Sequence, residues 1–129
     1  MKRESAASAP MVLAISTADE DHSTLEEIFD DSTDVLHADS LQAALAVLEE
    51  QPVPIVICER DLGAHTWKHV LDNIADLPNP PLLIVASRLA DEYLWAEALN
   101  LGAYDVLAKP FDGDEVVRTV DAARRRWTN

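Results

Sequence analysis

Residues 101–111 read Leu101-Gly102-Ala103-Tyr104-Asp105-Val106-Leu107-Ala108-Lys109-Pro110-Phe111. Gly102 is suited to the left-handed position just past the end of a helix. Tyr104–Ala108 is a short β-rich run, and Lys109 stands at its end. The X-Pro bond that follows can be cis, which would aim the lysine inward. Upstream, Asp91 to Asn100 has helical spacing, with Trp95, Ala98 and Leu99 expected to face inward. Downstream, Asp112 caps a last helix with the apolar stripe Val116, Val120, Ala123 and Trp127. Arg124, Arg125 and Arg126 lie in its final turn, where the helix dipole favours positive charge.

The same strand–helix unit repeats toward the N-terminus. Met11–Ile15 is a continuous apolar run, as expected of a strand buried on both faces. A helix over Ser23–Asp30 follows, then a short strand at Asp34–His37. Ser40 is the N-cap of a helix carrying Leu41, Ala44, Leu45 and Leu48 at i, i+3, i+4 and i+7. Pro52 and Pro54 end it, and Ile55–Cys58 forms a third strand. Trp67, Val70, Leu71 and Ile74 make the next stripe, and Leu82–Ala86 the fourth strand. Strict (βα)5 alternation requires parallel strands with right-handed crossovers and helices on both faces. The expected fold class is therefore α/β: a doubly wound, flavodoxin-like five-stranded sheet of order 2-1-3-4-5 over residues 11–127. A flexible leader is expected over residues 1–10. Functional residues belong beyond the carboxyl ends of the strands, in the loops Ser16–Asp21, Glu59–Trp67, Ser87–Ala90 and Lys109–Phe111.

Composition narrows the chemistry. A chain of 129 residues is one domain by length. Ten basic against 24 acidic residues give a formal charge of −14, which disfavours direct contact with nucleic acid or an anionic membrane. Apolar runs fall far short of the roughly 20 residues that a membrane span needs. Lys2 and Arg3 lack the apolar stretch of a signal peptide behind them. The single cysteine, Cys58, excludes an intrachain disulfide and suits a reducing compartment, so the cytoplasm is expected. Three glycines, Gly63, Gly102 and Gly113, leave nothing for a phosphate-cradling loop, which argues against nucleotide, FMN or NAD.

With Lys109-Pro110-Phe111 after a fifth strand, the chain resembles the receiver domains of two-component response regulators over residues 11–127. In that family an aspartate after strand three takes a phosphoryl group. An acidic pair after strand one holds Mg²⁺, a hydroxyl after strand four bonds the phosphoryl, and the lysine pairs with it. Two or three carboxylates around Mg²⁺ neutralise the charge of in-line phosphoryl transfer. The resemblance places Lys109 in the lysine slot and Ser87 in the hydroxyl slot. It places Glu59 in the phosphoacceptor slot, Ser16 and Thr17 in the acidic-pair slot, and Val106 where a switching aromatic usually stands.

These departures change the expected chemistry. Glu59 reaches one methylene further than an aspartate and is expected to pair permanently with Lys109. The loss of both pair carboxylates weakens the case for Mg²⁺, which would bind only if the acidic loop with Asp19 and Glu20 rearranged. Asp19, Glu20 and Asp21 otherwise read as a solvated cluster at a helix N-terminus. His65 and His69, four apart, lack a third metal ligand. Trp95 and Tyr104 are candidate contacts for a dimer through helix four, strand five and helix five.

The expected function is a non-enzymatic, phosphorylation-independent signalling module without a resident cofactor. Its partners would be a histidine kinase, a downstream signalling protein or a second copy. Two rivals stand beside it. One is a conventional receiver that uses Asp61 or a rearranged acidic loop as acceptor; the other is a small flavodoxin-like cofactor binder.

Overall fold

The computed structural model describes residues 11–128, so the leader expected over residues 1–10 lies outside the described residues. Five strands form one parallel sheet: β1 (Met11–Ile15), β2 (Asp34–Ala38), β3 (Ile55–Glu59), β4 (Leu82–Ser87) and β5 (Asp105–Ala108). Their order is β2-β1-β3-β4-β5, as the alternation required. The helices between and after them are α1 (Asp19–Phe29), α2 (Leu41–Glu50), α3 (Trp67–Ile74), α4 (Glu92–Leu101) and α5 (Gly113–Thr128).

Strand periodicity sorts the core into two layers. Leu13, Ile15, Val56, Cys58, Leu83, Val85 and Val106 point to the face covered by α2, α3 and α4. Val12, Ala14, Ile55, Ile57, Ile84, Ala86 and Leu107 point to the face covered by α1 and α5. Both faces are closed, which is why these strands read as unbroken apolar runs.

Local signals set the helix ends. The Ser40 hydroxyl accepts the Ala43 N–H at 3.1 Å, and the Asp91 carboxylate accepts the Leu94 N–H at 2.9 Å. Thr66 and His69 form a reciprocal capping box at the start of α3. Gly102 takes the left-handed C-terminal position of α4 with φ 113°. Asp112 Oδ1 accepts from the N–H groups of Asp114 and Glu115 at the start of α5.

Three expectations need correction. Helix α1 begins at Asp19, four residues earlier than its apolar spacing suggests, and its N-cap Ala18 offers no side-chain cap to mark the start. On α4 the inward residues are Leu94 and Ala98, while Trp95 and Leu99 are 43% and 42% exposed. The loop after β3 contains a small antiparallel ribbon, Asp61–Leu62 against His65–Thr66, turned at Gly63 with φ 71°. The ends of β2, β3, β4 and β5 also differ from expectation by one residue each.

Candidate functional site: the carboxyl end of the sheet

Register brings the loops together. β1 pairs with β3 so that Ile15 lies beside Cys58, and β3 pairs with β4 so that Glu59 lies beside Ala86. β4 pairs with β5 so that Ser87 lies beside Ala108. Ser16, Glu59, Ser87 and Lys109 therefore emerge at one end of the sheet, each at or just after the end of its strand.

The centre is a buried cation held by two carboxylates. Lys109 Nζ donates to Asp21 Oδ2 at 2.7 Å and also to Glu59 Oε1. The side chains are 7% exposed for Lys109, 11% for Asp21 and 18% for Glu59. Ser16 Oγ donates to the same Asp21 oxygen at 2.6 Å and accepts the Ala18 N–H at 3.0 Å. The hydroxyl thereby ties the first turn of α1 to the end of β1. Burial pulls the Lys109 amine down, but the hydrogen bonds it donates to Asp21 and Glu59, with their charges, outweigh it. The net result is an amine held above the ordinary lysine value.

Asp21 is the member that the sequence reading misplaced in a solvated cluster. It lies four residues before Leu25 on the buried stripe of α1, so it enters the interior with Leu25 and Phe29. Asp19 and Glu20 instead stay exposed, and Glu20 comes within 4.0 Å of Arg88 at the surface. Among the described residues no group of three His, Cys, Asp or Glu side chains is placed to hold a metal ion.

The remaining candidates fall in place around the triad. The Ser87 hydroxyl is buried and accepts the Leu89 N–H at 3.0 Å, capping its own loop. Asp61 turns outward on the ribbon, where its carboxylate accepts from Arg60 Nε at 3.2 Å. Val106 is buried in the layer beneath α4. Tyr104 just precedes β5 and is half-buried against the α1–α5 layer. Cys58 is fully buried, and burial first, then the Glu59 charge, pushes its thiol well above the usual range, so it is chemically quiet. The His65 and His69 rings stack edge to face, with His69 Nδ1 already accepting the Thr66 N–H.

Beneath the centre, toward the core, space is scarce. The void bounded by Ser16, Asp21, Glu59, Ala86 and Phe111 is about 10 Å³. That is at or below the threshold for a single water, roughly 10–15 Å³. A shallow cavity of about 120 Å³ opens on the outer side, between Glu20, Arg88, Lys109 and Phe111. A roomier one of about 450 Å³ lies at the opposite end of the sheet, where Pro52, Val53 and Pro81 lead into β3 and β4. It is far from the charged centre and shares none of its residues.

A family model for the response regulator receiver domain matches residues 8–121. The chain belongs to that family: it is a receiver domain of the two-component response regulator type. It is 32% identical over 88 residues to the regulatory protein VirG of Agrobacterium tumefaciens (strain 15955), a match covering 68% of this chain and 33% of that protein. The matched segment thus spans about a third of the length of that relative. Two solved structures share the fold. The signal receiver domain of an HD domain-containing protein from Pseudomonas fluorescens Pf-5 superposes with a TM-score of 0.83 at 22% identity, covering 93% of this chain and 90% of the other. The beryllofluoride-activated NtrC4 receiver domain dimer superposes with a TM-score of 0.83 at 20% identity, covering 91% and 98%. No helix among the described residues is long and apolar enough to cross a membrane.

Proposed function

We propose that this receiver is a phosphorylation-independent interaction module whose centre is held permanently in one state by its own ion triad. The observation that carries the reading is the Lys109 amine, which already has two carboxylate partners, Asp21 and Glu59, with little solvent exposure. An incoming phosphoryl group would have to displace Glu59 from the lysine and bring further negative charge against two buried acids. In a low-dielectric setting that arrangement is costly without a bridging cation. Mg²⁺ would need hard oxygen ligands where Ser16 and Thr17 stand, and the acids nearest in sequence, Asp19 and Glu20, face solvent. Val106 supplies no ring to swing between core and surface.

Signalling then proceeds by protein contact, without an enzymatic step or a resident cofactor, in the cytoplasm. The surface that suits a partner lies on α4 and the loop before it, where Leu89 in the loop and Tyr93, Trp95, Leu99 and Leu101 on the helix are all at least 42% exposed. Large apolar and aromatic groups at the surface are the usual anchors of an interface. Next to α4 come Tyr104, β5 and the basic end of α5 with Arg125 and Arg126 exposed. The partner is a kinase, a downstream signalling protein or a second copy engaging this α4–β5–α5 face.

Intact mass after incubation with acetyl phosphate, with and without Mg²⁺ and alongside Asp61→Ala, tests the reading. No phosphorylated species is expected in any arm. A Mg²⁺-dependent adduct would overturn it, and loss of that adduct in the variant would assign acceptance to Asp61.

A further inference from the structure

We infer that His22 and His37 form a two-histidine site for a divalent transition-metal ion on the α1–β2 edge, separate from the Lys109 triad. His22 lies on α1 and His37 on β2, and their Nδ1 atoms face each other at 2.8 Å. The other nitrogen of each ring is committed. His22 Nε2 lies 2.9 Å from the Ser16 carbonyl oxygen, and His37 Nε2 lies 2.5 Å from Glu26 Oε2. A carbonyl and a carboxylate only accept, so both rings carry their proton on Nε2. Both Nδ1 atoms are then directed at the same small region of space. Two lone pairs at that separation repel unless an electrophile lies between them.

A metal ion is an electrophile that fits this position. Bonds of about 2.0–2.1 Å to imidazole nitrogen put two ligands roughly 2.9 Å apart at a right angle and roughly 3.4 Å apart at the tetrahedral angle. The observed separation is close to the first and needs only a small opening for the second, within reach of the partly exposed His37 side chain. The outer partners are those that metal-binding histidines characteristically have: a backbone carbonyl on one ring and a carboxylate on the other, which fix tautomer and orientation. The ring planes, 82° apart, allow both nitrogens to reach a shared ion without stacking against each other. Imidazole ligands suit zinc, nickel and copper, and water completes the coordination because the protein offers two donors.

The second histidine pair provides a contrast within the same molecule. His65 and His69 are also edge to face, with ring centroids 5.0 Å apart. His69 Nδ1, however, accepts the Thr66 N–H at 3.0 Å as part of the α3 capping box. Its lone pair is spent, so no converging pair of donors exists there.

Calorimetric titration of the tag-free full chain with ZnCl₂ and with NiCl₂, at neutral pH, tests the proposal. One ion per chain is expected, with His22→Ala and His37→Gln each weakening binding at least tenfold. Glu26→Gln should weaken it roughly tenfold or more through the His37 ring. His69→Ala should leave binding unchanged. Imidazole ¹⁵N spectra should show both Nδ1 resonances moving together on Zn²⁺ addition. His37→Gln, on the exposed side of the pair, keeps the test available if His22→Ala fails to fold. Absence of binding would overturn the proposal, as would equal binding by wild type and both histidine variants. A shared proton between the Nδ1 atoms, with no response to metal, would overturn it as well.

Discussion

Lys109 holds one positive charge between two carboxylates, all three largely shielded from water. Removing one member of such a group leaves uncompensated buried charge, whereas replacing the whole group by apolar residues is often close to neutral. Lys109→Met should therefore destabilise the domain by about 3 kcal/mol, the lower end of the usual range because Asp21 and Glu59 keep some contact with solvent. Adding Asp21→Leu and Glu59→Leu should recover most of that loss, read from urea midpoints. The amine's elevated pKa in the fold fixes the sign of a pH effect. The stabilisation is fully present below the unfolded lysine value of about 10.4 and is lost as pH rises through the higher folded value. Wild type should converge on Lys109→Met in stability as the pH is raised above 10; a constant difference up to the highest pH at which the fold survives would deny the ion triad its role. Asp21 also marks where local reading ran out. Acids in a helix's first turn normally face water, and its partner is 88 positions away in sequence. The available signal was that Asp21 continues the Leu25–Phe29 stripe one turn toward the N-terminus.

At the level of elements, Gly102 ends α4 in a left-handed conformation with no atom near the place a Cβ would occupy. Gly102→Ala should cost about 1 kcal/mol from backbone conformation alone, visible as a lower thermal midpoint with unchanged folding cooperativity. Trp95→Ser and Leu99→Ser act on the exposed flank of the same helix. They should change stability by no more than about 0.5 kcal/mol and reduce partner binding or self-association, measured by sedimentation. A large loss of stability would show that these side chains serve the fold. The strands were legible because burial on both faces writes them as unbroken apolar runs. Helices α2, α3 and α5 were legible because their stripes are distinct. Helix α4 was not: Tyr93, Leu94, Trp95, Ala96, Ala98, Leu99 and Leu101 run almost around it, leaving its phase to Gly102 and the β5 docking that follows. The start of α1 was hidden by an Ala18 cap that offers no side-chain signal. The 61–66 ribbon was hidden by its length of two residues per strand.

Across the whole molecule, the ends of β1, β3, β4 and β5 meet around a single charged centre. The sheet order followed from the strand–helix alternation along the chain, and the lysine slot and receiver family from a few residues around Lys109. The identity of the second carboxylate required the packed fold. On the proposed reading this centre is already complete, because Asp21 and Glu59 both engage Lys109 and a phosphoryl group would have to displace them. The most direct measurement is the amide ¹H–¹⁵N spectrum of the uniformly labelled chain, titrated with beryllofluoride and Mg²⁺ as a phosphoryl mimic. A centre already occupied by its own carboxylates should show no specific shifts at Ser16, Asp21, Glu59, Ser87 or Lys109. Saturable shifts clustered at those residues and spreading to β5 and α4 would contradict it, since they would show an open centre that accepts the group and transmits its arrival.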